Sequence, residues 1–433
     1  MRRPPVPPTA AVRAAAAVVA GALLASLAAH TAAAAPGDPA TGWDSRPEEA
    51  HREVAVSDTG RVVVDASSEA GYEHVNYLEV GEQGEWVRTP DTSGHLTHLA
   101  AGPEDYAVSV WHDADGPARY RVLDGADWSE PATFHDGPVH ASDLVSNADG
   151  DVAVLLRLHH DGGTLLARLP RGGTWTVQEV PGVATDLPAA VALNDAGKTT
   201  VVWAAPSGVR STVLRSVVRE DSTQWSAPQT VGVVNDPAPN LSMVTDGEGR
   251  ETVVGGNLLW RQPSTSKPLA YRMRTSTRAQ LTAGHSATRV VWPAGVQDRY
   301  EVRSVLFDDE TQRPQTTLWS HPMRECAYEF GLNSLVLGVG MVPGGRTYLA
   351  VAVRRGIDTD GTCPDVARFL AVDRRDRVLG DQPLGSFTVG KELQVAAGAA
   401  GPVAVEFKNW DDDADPLGED QPDGLYSLEF FHR

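Results

Sequence analysis

Apolar residues along this chain come in short blocks, rich in β-branched side chains and separated by tight polar turns, from about residue 54 to the C-terminus. Blocks such as "AAVAL", "TTVVWAA" and "STVLRSVV" are too short and too rich in Val and Thr for helices, and they read as strands. Helical periodicity is nearly absent beyond the first 34 residues. The pattern predicts an all-β protein.

The blocks also repeat. Six tryptophans open a similar phrase: "WDSRP" at Trp43, "WVRTP" at Trp86, "WSEPATF" at Trp128, "WTVQEV" at Trp175, "WSAPQTV" at Trp225 and "WSHP" at Trp319. Successive gaps are 43, 42, 47, 50 and 94 residues; the last is two periods, so one copy has lost its tryptophan near "PLAYRMRTS". A fixed period of this size marks a repeat architecture. Each unit reads as a first strand, a tight turn, a second strand, a variable loop, a third strand and a closing strand that carries the Trp phrase. The turn recurs as "SDTGR", "SNADGD", "LNDAGK", "TDGEGR" and "VPGGR", and in weaker form as "AGPEDY", "AGHSAT" and "AGAAGP". Gly, Asn and Asp there supply the positive φ that a hairpin tip needs.

Eight copies of a four-strand unit predict a β-propeller, with four-stranded antiparallel blades set radially about an axis. The count falls to seven if Leu241 to Trp292 holds a single blade. A β-sandwich array is the rival, but a sandwich domain takes roughly 100 residues, about twice this period. The last unit stops after its third strand, in "DGLYSLEFFHR", whereas a lone closing phrase, "GWDSRP", stands near the start. The N-terminal strand is therefore expected to complete the last blade and remove an open sheet edge. On this reading residues 1–34 are a leader and 41–433 form one propeller domain.

The pattern resembles the degenerate propeller repeats of exported actinobacterial proteins, a group loosely allied with sialidase-like propellers. The resemblance covers most of the chain beyond the leader and implies a propeller. The sialidase Asp-box, Ser-x-Asp-x-Gly-x-Thr-Trp, is not met: "SDTGRVVV" and "SNADGDVA" have its turn but lack its spacing and tryptophan. An Arg-Ile-Pro signature and the WD and kelch signatures are missing as well. The resemblance therefore implies no sialidase activity.

Arg2, Arg3 and Arg13 surround the start of an apolar stretch, Ala14 to Ala29, and Ala32-Ala33-Ala34 offers a small-residue cleavage site. That is the layout of a secretory signal peptide. No later stretch approaches ~18 uninterrupted apolar residues. The expectation is a secreted monomer with no membrane span. Formal net charge is −20, and about −23 once the three leader arginines are removed, a field that repels nucleic acid and excludes it as a partner. Cys326 and Cys363, the two cysteines of an exported chain, are expected to form a disulfide.

Candidate chemistry is sparse. Gly197-Lys198-Thr199 looks like the tail of a phosphate-binding loop, but that loop needs glycine where Ala192 stands and a helix where "TTVVW" predicts a strand. Lys198 is instead expected to face solvent and Trp203 to pack between blades. The loops taken to join second and third strands are long and individual: "HDADGPA", "HHDGGT", "RQPSTSKP", "RRGIDTDGTCPD" and "KNWDDDADPLGEDQPDG". They would share one face, where a rigid scaffold presents binding residues. His112, Asp113 and Asp115, with His159, His160 and Asp161 on the next blade, are the candidate ligand-binding residues; imidazoles and carboxylates brought together suit a metal or proton transfer, and solvated turns are the plainer reading. Trp410, in a polar loop, is a candidate for stacking on a sugar. Beside it Asp411, Asp413 and Asp415 suggest calcium, which takes several oxygen ligands from a compact loop, although Pro416 and Pro422 stand where an EF-hand has Gly and Glu.

No nucleophile elbow, zinc-helix motif or dinucleotide loop occurs, and no catalytic residue is assigned. The sequence predicts a secreted, non-enzymatic propeller that binds a glycan or a protein through its variable face. The alternative is a glycosidase or polysaccharide lyase with its site over the central channel. Exposed aromatics on a shallow face favour the first, and buried carboxylates of raised pKa at the channel favour the second.

Overall fold

The computed structural model describes residues 50–431 apart from 323–334, 354–365, 384–391, 409–425 and shorter loop segments. Trp43, Asp113, Asp115, His160, Asp161, Cys326, Cys363, Trp410, Asp411, Asp413 and Asp415, and the leader, lie outside the described residues.

The described chain is all β and forms eight antiparallel sheets, one per repeat. Each sheet takes its strands in sequence order, first to last, with no crossover. That is the blade topology of a propeller. The stretch 241–292 spans two sheets: one from Leu241–Thr245 to Leu269–Arg272, and another whose first two strands are Gln280–Ala283 and Ala287–Val296. Leu269–Arg272, in the copy without tryptophan, is the closing strand of the fifth sheet. The last sheet has three described strands, ending with Tyr426–Phe431.

The first strands of successive sheets pack on one another in chain order, and Ala50–Val56 of the first sheet packs on Glu392–Ala397 and Val403–Lys408 of the eighth. These first strands are thus the innermost ones. At the meeting of sheets one and eight, any side chain on Gly398 would collide with the Ser57 carbonyl.

The core lies between sheets, not within one. Tyr106, Val108 and Val110 of the second sheet meet Val139, Val152 and Val154 of the third. Leu155 and Leu166 of the third meet Val191, Val201 and Trp203 of the fourth. Similar layers join each further pair through Tyr348 and Phe369 of the seventh sheet, which face Val395 and Ala397. Trp203 and Trp292, which lie within their second strands and do not end them, are buried in these layers, and Trp111, near the end of its second strand, is fully buried as well. Full burial of a large apolar side chain stabilises by about 1.5–3 kcal/mol, so the repeated β-branched blocks hold neighbouring blades together.

The turn between first and second strands is a five-residue device. In the fourth sheet Asn194 N–H donates to Lys198 O at 3.1 Å and Gly197 N–H to Asn194 O at 3.0 Å. The Asn194 side-chain oxygen accepts from Ala196 and Lys198 N–H at 3.0 and 2.9 Å. Gly197 sits at φ +67°, the left-handed residue that ends a three-residue hairpin loop. Asn147 and Asp246 cap their turns in the same way.

Two sequence expectations change here. Lys198 does not simply face solvent: its ammonium lies 2.8 Å from the carboxylate of Glu251, which is fully buried on the next sheet. The Glu251 carboxylate also receives Arg215 at 2.9 Å and the Thr200 hydroxyl at 2.9 Å. A lone lysine on a turn carries no sign of a partner 53 residues away. Secondly, "RQPSTSKP" joins the third and fourth strands of its sheet, Leu258–Gln262 and Leu269–Arg272, and so belongs to the face of the tight turns. The link between second and third strands there is only Gly256-Asn257, made possible by Gly256 at φ +54°.

Candidate functional site

The variable-loop face of the second and third sheets gathers imidazoles. His112 ends the strand Ala107–His112, and His140 starts the neighbouring first strand Val139–Ser146. His140 Nδ1 and His112 Nε2 are 2.9 Å apart and the rings meet edge to face at 4.8 Å. A hydrogen bond between two ring nitrogens needs one of them to be an unprotonated acceptor, so the pair cannot carry a proton on every nitrogen. Burial, followed by the influence of His112, His98, Arg157 and His159, holds the His140 pKa down to about 4. His159 follows the strand Val152–Leu158, and its N–H donates to Pro138 O at 3.2 Å. Two of the sequence candidates, His112 and His159, therefore flank His140, which sequence reasoning passed over because it lies inside a strand and not in a loop.

A second set of polar residues becomes visible once the repeats are aligned on their turns. The residue four positions before each turn stands at the same level of the innermost strand, one per sheet: Glu53, His98, Asp143, Ala190, Ser242, Gln280, Gly338 and Gln394. On the first three sheets this position is ionisable. On the same three sheets, and among the described residues on no others, the pairing of first with second strand shifts register just before it, between His51 and Glu53, His95 and His98, and Ala141 and Asp143. A bulge re-aims a side chain at the expense of local pairing and is common beside functional sites.

The re-aimed side chains reach across to the next sheet. Glu53 accepts from Leu99 N–H at 2.7 Å and lies 3.7 Å from His98 Nδ1. His98 Nε2 meets Ala141 O at 3.0 Å. Asp143 accepts from Val191 N–H at 2.9 Å. The inner strands present an unpaired edge to the axis, and these contacts satisfy part of it. Burial opposes protonation of His98, but Glu53, the Ala141 carbonyl and Asp143 outweigh it and raise the His98 pKa. Burial pushes the Asp143 carboxyl up to about 6, against the pull of Val191 N–H and His98, with Glu53 adding to the rise. The arrangement is a carboxylate, an imidazole and a carboxylate in series, able to hold or exchange a proton.

Among the described residues no group of three or more His, Cys, Asp or Glu side chains is placed to hold a metal ion, and no helix is long and apolar enough to cross a membrane. The exposed large apolar side chains among the described residues are aliphatic, Val177, Val209, Val233, Val378 and Leu379. Trp260 is buried, with the Arg215 guanidinium 5.6 Å from its ring centre.

No protein-family profile and no curated protein sequence matches the chain. Solved structures with a similar course of strands include an ulvan lyase (9% identity, TM-score 0.43, covering 78% of this chain and 97% of that one). They also include the six-bladed fucose-binding lectin of Aleuria aurantia (13%, TM-score 0.37, 67% and 96%) and prolyl oligopeptidase B of Galerina marginata (9%, TM-score 0.44, 71% and 47%). At such scores these likenesses bear on neither ligand nor activity, and the propeller assignment rests on the strand order of the eight sheets.

Proposed function

We propose that this protein is an exported, closed eight-bladed propeller that binds a glycan on its variable-loop face, over the second and third blades. The observation that carries the reading is the His112–His140 pair, with His159 beside it. The His140 imidazole, kept uncharged near neutral pH by its lowered pKa, can donate and accept hydrogen bonds at once, as sugar hydroxyls do. The net charge of −20 opposes an anionic polymer, so a neutral glycan is the better match. Trp410 and the run Asp411, Asp413 and Asp415 follow the second strand of the last blade in chain order, and their residue types suit stacking on a sugar and binding calcium. The signal peptide, the Cys326–Cys363 disulfide and a monomeric state complete the reading. The test is a screen of neutral oligosaccharides against the mature chain, with and without calcium. Binding that is lost in His112→Ala and His140→Ala supports it, and full binding by both variants refutes it.

A second reading, a glycosidase or polysaccharide lyase over the channel, is favoured by the coincidence of three bulges with Glu53, His98 and Asp143 and by the burial that raises the Asp143 carboxyl to about 6. Product release from a polysaccharide that stops in His98→Ala would support it. The same release from that variant would set it aside.

A further inference from the structure

A cavity of about 290 Å³ is bounded by the inner strands of the third to sixth sheets. Its lining is predominantly polar and includes Ser142, Asp143, Ser242 and Gln280. We propose that this cavity binds the ammonium group of a small polyhydroxylated amine, of the amino-sugar class, with the Asp143 carboxylate as counter-ion.

Asp143 is the reason for a cation. Its carboxylate holds one hydrogen bond, from Val191 N–H, and among the described residues no cationic group lies within ion-pair distance of it. The nearby charges are engaged elsewhere: His98 with Glu53 and the Ala141 carbonyl, and Arg157 with the Thr185 carbonyl at 3.1 Å. These two act on Asp143 through space, and Glu53 opposes them. A desolvated carboxylate without a cationic partner is costly, and an entering ammonium offsets that cost. The cavity does not suit a metal ion, which needs several anionic or imidazole ligands converging on one point. Serine hydroxyls and a glutamine amide match ring hydroxyls. Pockets for drug-sized ligands run from about 300 Å³ upward, so this one takes a single ring. The negative charge of the whole chain favours the approach of cations.

This site is separate from the loop face, and its test is independent of that reading. The full chain is titrated calorimetrically at pH 7 with glucosamine, glucose and N-acetylglucosamine. Glucosamine is expected to bind at least tenfold more tightly than either neutral sugar. Asp143→Asn, which keeps an acceptor for Val191 N–H, erases that preference. Ser242→Leu, which fills the cavity and leaves Asp143 in place, abolishes binding, while Asp149→Ala, in an exposed tight turn, leaves the glucosamine titration unchanged. All three variants are checked for a cooperative melt. Equal binding of glucose and glucosamine, no glucosamine binding by the folded wild-type chain, or an Asp143→Asn protein that keeps the preference would each overturn the proposal.

Discussion

The side-chain amide of Asn147 donates to the backbone carbonyl of Asn194 at 3.0 Å, joining one hairpin turn to the same position of the next repeat, 47 residues on. The Asn147 side-chain oxygen meanwhile accepts from Asp149 and Asp151 N–H at 3.1 and 2.8 Å. One residue thus shapes its own turn and ties two blades. Asn147→Ala removes both functions and is expected to cost about 1–3 kcal/mol. Asn147→Asp keeps the acceptor, loses the donor and should cost less. Chemical denaturation of the two variants gives the ranking, and a reversed order would contradict this role.

Glu251 gathers charge from two blades, with Lys198, Arg215 and Thr200 of the fourth around one fully buried carboxylate of the fifth. Removing one partner of a buried ionic group leaves the others unpaired, at a cost of about 3–5 kcal/mol. Glu251→Ala is expected to lie in that range. Lys198→Ala should cost much less, because Arg215 remains. Equal losses in the two variants would show that the cluster contributes little beyond a surface ion pair.

Two groups shift stability in opposite directions over the same pH window. Between the ordinary carboxylate value of about 4 and its folded value of about 6, Asp143 holds a proton in the folded chain that the unfolded chain has released. Its contribution therefore falls as pH rises through that window. His140, held down to about 4, stays neutral in the folded chain where the unfolded chain binds a proton, so its contribution falls as pH drops below about 6.5. Asp143→Asn is expected to melt higher than wild type at pH 7, by on the order of 1 kcal/mol, with the difference closing towards pH 4. His140→Gln is expected to gain on wild type between pH 8 and pH 5. Melting profiles that run parallel to wild type for both variants would remove the two assignments.

Closure of the ring by residues 41–50 is tested by deleting them from the mature chain. The expected outcome is a lower melting temperature and a greater tendency to self-associate, because an inner or outer sheet edge is left open. An unchanged melt would show that the last blade needs no N-terminal strand.

The repeat was legible because the Trp phrase and the glycine turn are local patterns, and the eight sheets follow those copies one for one. Trp111, Trp203 and Trp292 were readable as packing residues for the same reason. The site was much less so. Glu53, His98 and Asp143 sit in three different repeats and share only their distance from a turn. No window of sequence contains more than one of them, and the bulges that re-aim them leave no composition signal. His140 was missed because a histidine one residue into a strand looks like part of the strand. The register of the turns would have found Glu53, His98 and Asp143, since it puts one residue per repeat at the same level of the inner strand.

The most direct test of the central claim is equilibrium binding of neutral oligosaccharides by the wild-type chain, by His112→Ala with His140→Ala, and by Asp149→Ala in a tight turn on the opposite face. The account predicts that the histidine substitutions weaken binding at least tenfold and that Asp149→Ala leaves it intact. Undiminished binding without the two histidines, or a loss caused by Asp149→Ala, would contradict it.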